Sequence, residues 1–343
     1  MKTFTGRSYL IKVMLALSAI SFTFGIIHSE SFAERTEPLI IDHTCTDLSM
    51  VPTHWMDQAK AMFKLSYGHT SHGSQIVTGM DLLKDPSGSQ NWFDHDGTDG
   101  GLSLHDREPS GDLGNPDRTT WATRTQTLLD TSGCDRNMIM WSWCGQVDGT
   151  EAEINTYLNL MNGLEVNYPG VTFVYMTGHL NGTGEDGNVN IRNNQIRQYC
   201  RDNNKILFDF ADIESYDPDG NHFLDRGATD GCNYNGGNWA DEWCAANQDE
   251  CESCSCAHSR CLNCQLKGRA FWWMMARLAG WETCRGDFDH DGEVDGSDLA
   301  VFSADFGRTN CGSDCEGDFD NDNDVDGSDL AVFSADFGRT DCP

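Results

Sequence analysis

The chain has 343 residues, 54 acidic against 23 basic, and a formal net charge of −31. That balance argues against a nucleic-acid binder, whose phosphate contacts need Lys and Arg, and disfavours anionic membrane surfaces. The length suits one large domain or a medium domain with an appendage, and 15 cysteines suit an oxidising compartment.

The first 33 residues read as a secretory signal. Lys2, Arg7 and Lys12 form a basic region, Val13 to Ile27 an apolar one, and Ser31-Phe32-Ala33 a small-x-small cleavage site. The mature chain is expected to begin near Glu34, secreted and free of the membrane after cleavage, because no later stretch is long and apolar enough to span a bilayer. An odd number of cysteines leaves at least one thiol unpaired or in an intermolecular bridge.

From residue 34 to 282 short apolar runs alternate with amphipathic segments. Residues 62–67, 137–143, 171–177 and 205–211 are predicted strands bounded by turn residues. Residues 151–168 are a predicted helix, with Ile154, Leu158, Met161 and Leu164 on one face. Further helices are expected at "SQIVTGMDLL", "NIRNNQIRQYCRDN" and "KGRAFWWMMARLAGW". The alternation predicts an α/β domain, a three-layer parallel sheet with helices on both faces. Such sheets bind ligands beyond the carboxyl ends of their strands. The loops there are "GHTSHGSQ", "CGQVDG", "GHLNGTG" and "DIESYD".

"GHTSHGSQ" places Ser71 on a strand-to-helix turn, where helix-start amides can hold a developing oxyanion. The same serine is also a candidate helix cap. His69, His72 and His179 should reach the same rim as substrate contacts, with Asp148 and Asn181 beside them. Those imidazoles raise a second option, a Zn²⁺ site completed by carboxylates. The cysteine run 244–264 has zinc-like spacings, yet behind an export signal it reads as disulfides. Trp92, Trp121, Trp141, Trp143 and Trp239 are candidate sugar-stacking faces, whereas Trp272 and Trp273 read as helix packing.

The order strand–GHxSxG, strand–Gly-x-x-Asp–helix, "YPGVTFVYMTG", strand, then His258 before "KGRAFWWMMARLAGW" resembles the SGNH (GDSL-like) hydrolase superfamily. The resemblance spans roughly Leu65 to Trp281. It implies a flavodoxin-like sheet, Ser71 as nucleophile, His258 as base, and Gly145 with Gln146 at the oxyanion, with Gly114 as a further glycine candidate. Val147 stands where the family has asparagine, and Ser255 where it has the aspartate three residues before the histidine. The resemblance then leaves Asp249, Glu250 or Glu252 to orient His258. The activity it implies is a cofactor-free serine ester hydrolase.

Residues 283–343 carry two near-identical units, 284–311 and 315–342. In the first, Asp287, Asp289, Asp291, Asp295 and Asp298 fall at positions 1, 3, 5, 9 and 12 of a calcium loop, and Glu293 offers its carbonyl. Asp318, Asp320, Asp322, Asp326 and Asp329 repeat the pattern, with Asp324 at the carbonyl position and Asn323 replacing Gly292. Two Ca²⁺ sites are expected. These units resemble dockerin modules, which attach secreted polysaccharide-degrading enzymes to cohesins. That resemblance implies an extracellular polysaccharide or related ester as substrate, and a cohesin-like or cell-surface partner for the tail. The flanking cysteines suggest Cys284–Cys311 and Cys315–Cys342 staples. The alternative function is a non-catalytic, calcium-dependent carbohydrate- or protein-binding protein on the same fold.

Overall fold

A computed structural model describes residues 35–342, except 85, 283, 312–314 and 320–321. The expected signal segment and Asp320 lie outside the described residues. Seven strands form one sheet: β1 (Leu39–Ile41), β2 (Lys64–Gly68), β3 (Phe93–Asp94), β4 (Leu102–Asp106), β5 (Met138–Trp141), β6 (Thr172–Met176) and β7 (Ile206–Phe208). Their order is β1-β7-β6-β5-β2-β4-β3 and every pair is parallel. β5 and β6 read "MIMW" and "TFVYM" and are buried throughout, as a sheet covered on both faces requires.

The helices of this domain are α1 (Thr53–Met62), α2 (Ser74–Leu83), α3 (Thr120–Leu129), α4 (Glu151–Asn167), α5 (Asn188–Asp202), α6 (Phe210–Ile213), α7 (Trp239–Ala246) and α8 (Cys261–Leu278). α1 and α2 pack against α8, while α3 and α5 pack against α4, giving two groups that flank the sheet. The predicted 151–168 helix begins with a capping box, Thr150 and Glu153 each satisfying the other's backbone amide. All four predicted strands are present, but each is shorter than expected. β7 ends at Phe208 because Asp209 caps α6, its carboxylate accepting from Asp212 N.

α2 and α8 meet backbone to backbone. A Cβ on Gly79 would lie 1.7 Å from the Cys264 carbonyl oxygen, so only glycine permits the approach. α8 also starts at Cys261, inside the segment expected to be a loop. The disulfides Cys254–Cys261 and Cys256–Cys264 tie that start to the chain before it, and Cys244–Cys251 closes the preceding turn. The disulfide reading of this cysteine run holds. A two-stranded hairpin, β8 (Asn233–Tyr234) with β9 (Gly237–Asn238), precedes α7.

The tail holds α9 (Gly296–Asp305) and α10 (Gly327–Asp336). Its two units interlock. Val294 donates to Arg339 O and accepts from Gly338 N, both at 2.8 Å, and Val325 donates to Arg308 O at 2.9 Å and accepts from Gly307 N at 2.8 Å. Val294, Phe302, Val325 and Phe333 then share one small core, with the two phenyl rings 4.9 Å apart. This interlocking overturns the expected staples. The bridges are Cys284–Cys342 and Cys311–Cys315, because the start of the first unit lies beside the end of the second.

Four of the five tryptophans read as sugar platforms are core residues: Trp121, Trp141, Trp143 and Trp239 are each at most 2% exposed. Trp92 is half-buried under Lys84. Trp121 lies on α3, Trp141 ends β5 and Trp239 begins α7, so these indoles are packed with the elements of the core rather than presented by loops.

Candidate functional site

The sheet changes direction at β2. From it the chain builds β4 and β3 on one side and β5, β6 and β7 on the other. Loops leaving β2 and β5 therefore open a crevice between them at the carboxyl edge, the place where ligands bind in open parallel sheets.

The loop after β2 begins with His69, whose ring is buried between Asp106 Oδ1 at 2.6 Å and the Thr70 carbonyl at 2.7 Å. Ser71 and His72 follow. The loop after β5 brings Cys144, whose Sγ lies 3.1 Å from His72 Nδ1 and 3.8 Å from Ser71 Oγ. On the far side of the imidazole, His72 Nε2 lies 3.1 Å from Asp230 Oδ2. Asp230 is itself held by Gly231 N at Oδ1 and by its own amide to Leu180 O. Sulfur, imidazole and carboxylate thus form one hydrogen-bonded line.

The electrostatics of this line are cooperative. Burial opposes charge on His72, but the Asp230 carboxylate and the Cys144 sulfur outweigh it and raise the imidazole to about 9. The hydrogen bond from His72 pulls the Cys144 thiol below its ordinary value against the cost of burial. Burial would raise the Asp230 carboxyl, and the His72 hydrogen bond together with His179 reverses this and lowers it. All three shifts run toward charge separation, the Cys144 sulfur toward thiolate, His72 toward imidazolium and Asp230 toward carboxylate.

The other four free thiols have no such setting. Burial pushes Cys45 and Cys232 up to about 11 and raises Cys200 as well, and Cys134 is half-buried elsewhere.

Two more imidazoles enclose His72. His179 stacks on one side with centroids 3.8 Å apart and planes 1° from parallel, and His258 stacks at 4.3 Å and 13°. His179 Nδ1 is occupied by the Leu180 carbonyl at 2.8 Å, and burial holds its pKa below the usual value. His258 is exposed and in the left-handed region, φ 63°.

Ligand atoms of His72, His179 and Asp230 lie within 4.8 Å of one another, close enough to consider a metal. The stacking argues against it. Lone pairs lie in the ring plane, so an ion placed in the plane of one stacked ring is out of the plane of the other. Two-imidazole ligation would require one ring to turn.

Of the residues expected from sequence, Ser71, His72, His179 and His258 come together. No hydrogen bond joins Ser71 to His258 among the described residues. Gln146 faces away: it accepts from Cys144 N at 3.2 Å and donates to Asp112 at 2.8 Å, bracing the loop rather than awaiting an oxyanion. Gly145 lies in that turn, between the cysteine and Gln146. Asp148 accepts from Asn188 at the start of α5, and Asn181 from Thr183 in its own loop, so both serve local structure. Gly114 packs against the Gln146 side chain. Asp249, Glu250 and Glu252 are exposed, and it is Asp230 that meets an imidazole.

Sequence reasoning missed Cys144 and Asp230. Cys144 stands directly after a predicted strand, which was the available signal, but an odd cysteine count alone does not say which thiol is left unpaired. Asp230 lies in a loop that no predicted strand placed.

No protein-family model matches this chain, and no curated protein or solved structure gave a match to it.

Beside the site, a groove of about 580 Å³ is lined by Arg107, Ser110, Thr120 and Arg124. Its 107–110 wall hangs between Asp106, bonded to His69, and Asp112, bonded to Thr70 at 3.3 Å.

Proposed function

We propose that the protein is a secreted ester hydrolase in which Cys144 is the nucleophile, His72 its proton partner and Asp230 the carboxylate that orients His72. The observation that carries this reading is the line Cys144 Sγ–His72 Nδ1 and His72 Nε2–Asp230 Oδ2, both at 3.1 Å. Nucleophile, base and orienting group within hydrogen-bond reach are the signature of covalent acyl transfer. The nucleophile assignment thereby moves from Ser71 to Cys144, since it is the sulfur, not the hydroxyl, that contacts an imidazole.

The thiolate attacks the ester carbonyl, and His72 gives its proton to the departing alkoxide, leaving a thioester and a neutral imidazole. Water then attacks the thioester while His72 takes its proton. Collapse releases the carboxylic acid and restores the thiolate–imidazolium pair, with no cofactor consumed. The three residues before α2 place Ser71 and His72 where helix-start amides favour negative charge on the carbonyl oxygen.

The strand order β4-β2-β5-β6-β7 follows the flavodoxin-like pattern and supports the SGNH-like resemblance. That resemblance keeps Ser71 as a second reading. One experiment separates the two: turnover of a small acetyl ester. Cys144→Ala should lose about 10⁴-fold or more, and Ser71→Ala no more than about tenfold. The reverse result assigns Ser71. An inactive wild-type protein would remove hydrolysis and favour the non-catalytic, calcium-dependent binding protein.

The tail is a dockerin-like pair of calcium loops on this reading. Asp287, Asp289 and Asp291 hold ligand atoms within 4.8 Å of one another, as do Asp324, Asp326 and Asp329. Asp318 Oδ1 is buried with no partner among the described residues. Like charges gathered this way suit a hard divalent cation with oxygen ligands. Leu299 with Leu330, and Phe306 with Phe337, stand exposed at equivalent positions of the two units and would meet a cohesin-like or cell-surface partner. An acylated extracellular polysaccharide is the substrate class this combination favours.

A further inference from the structure

We propose that Lys267 is a positioning residue for the Cys144–His72 pair, acting through the two imidazoles that enclose His72. Its consequence for turnover rests on the hydrolase reading above; its consequence for the thiolate does not.

Lys267 lies on α8 beneath the site and, like Glu214, has no exposed side-chain surface. Its ammonium donates to Glu214 Oε1 at 2.6 Å and to Gln75 Oε1, and sits 3.7 Å from the centre of the Phe210 ring. Each partner reaches onward to the site. Glu214 Oε2 accepts the Leu180 amide at 2.8 Å, one residue after His179. Gln75 Nε2 donates to the Ala257 carbonyl at 2.7 Å, one residue before His258. Gln75 itself is three residues after His72, in the first turn of α2.

One buried cation therefore ties together the three chain segments that carry His72, His179 and His258. Cys144 and Asp230 hold His72 from two ends within its ring plane. The stacked rings hold it from above and below, and Lys267 sets where those rings stand. Stability alone does not explain the arrangement, because burying two charges costs roughly what their attraction returns. An apolar pair of similar volume would not supply a three-way anchor of fixed geometry. The close approach of α2 and α8 at Gly79 and Gly268 brings Gln75 and Lys267 within reach.

The test is the pH profile of Cys144 alkylation by iodoacetamide, followed on the Cys144 peptide by mass spectrometry, with full-length protein and no substrate. The Lys267→Met/Glu214→Gln double variant removes both buried charges together. It should alkylate Cys144 about tenfold more slowly at pH 7, with the midpoint moved toward an ordinary thiol. A folded double variant whose profile superimposes on wild type would overturn the proposal. Gln75→Met keeps the ion pair and the volume but frees the Ala257 carbonyl. It should slow alkylation about threefold, and if the double variant does not fold, an unchanged profile here overturns the proposal. A wild-type profile with an ordinary thiol midpoint would instead remove the thiolate–imidazolium pair itself. A shifted wild type with unshifted variants removes only the role of Lys267.

Discussion

The rim of the sheet and the loops of the tail both concentrate ionisable groups, and they do so in opposite ways. At the rim each charge meets its complement within the protein: Asp230 and Cys144 flank His72, Glu214 meets Lys267, and Asp209 meets Arg197 at 2.6 Å. In the tail loops like meets like. Loss of solvent and then Asp291, Asp298 and Asp287 all push the Asp289 carboxyl up. The carboxylates of Asp287, Asp291 and Asp298 are met by backbone amides. A self-compensated cluster can store a reactive ion pair in its resting state. An uncompensated one is where an outside cation would be stabilising, and that is what the proposed calcium loops require.

That contrast breaks most readily at Asp230. Asp230→Asn removes the charge that holds His72 protonated, and ester turnover should fall by about 10⁴-fold, as for an orienting carboxylate in a hydrolytic triad. Turnover within about threefold of wild type would show that the rim does not depend on this compensation.

The tail is tested by withdrawing calcium. At a hundredfold excess over Kd a ligand contributes about 2.7 kcal/mol, so chelation should raise the open population of residues 284–342 about 100-fold. Limited proteolysis reads this directly, and the double variant Asp287→Asn/Asp318→Asn should match the chelated protein. Equal cleavage with and without chelator would mean that the tail carboxylates need no cation.

A third test compares thiols. The thiolate–imidazolium form of the rim exists above the lowered Cys144 value and below about 9, where His72 gives up its proton. Ester kcat/KM should therefore fall on the acid side as the thiolate gains a proton, and on the alkaline side near 9, the two limbs belonging to the coupled pair. At pH 7 Cys144 should alkylate at least about 100-fold faster than Cys45 or Cys232. Uniform rates would dissolve the distinction between a charged rim thiol and buried neutral ones.

The smallest expected effect lies where the two regions touch. Trp55 Nε1 donates to Asp341 Oδ2 at 3.3 Å, linking α1 to the end of the tail. Trp55→Phe should cost about 1 kcal/mol, a roughly fivefold loss of tail protection in the same proteolysis experiment, with ester turnover unchanged.

Much of the scaffold is legible in the chain. The 171–177 run is apolar enough to announce a strand covered on both faces, and Thr150 with Glu153 marks the start of α4. β1 and β3 have three and two residues, too few for any periodicity, and both are edge strands recruited by a sheet already formed. The start of α8 at Cys261 was hidden because its cysteines read as loop staples, while the two disulfides there hold a helix end.

The amino-acid order by itself determined the parallel α/β class, the loops that gather at one edge of the sheet, and the repeated acidic register of the tail. Each of these is a local pattern of apolar spacing or ligand spacing, which a chain carries wherever it goes. Tertiary structure alone decided which of 15 cysteines is a free thiol beside an imidazole and which are bridges. It also decided that Asp230, 158 residues from His72, supplies the carboxylate, and that Cys284 pairs with Cys342 across two interlocked units. Partners of that kind are chosen by which loop ends share a crevice once strands are ordered. Strand order is a property of the packed whole.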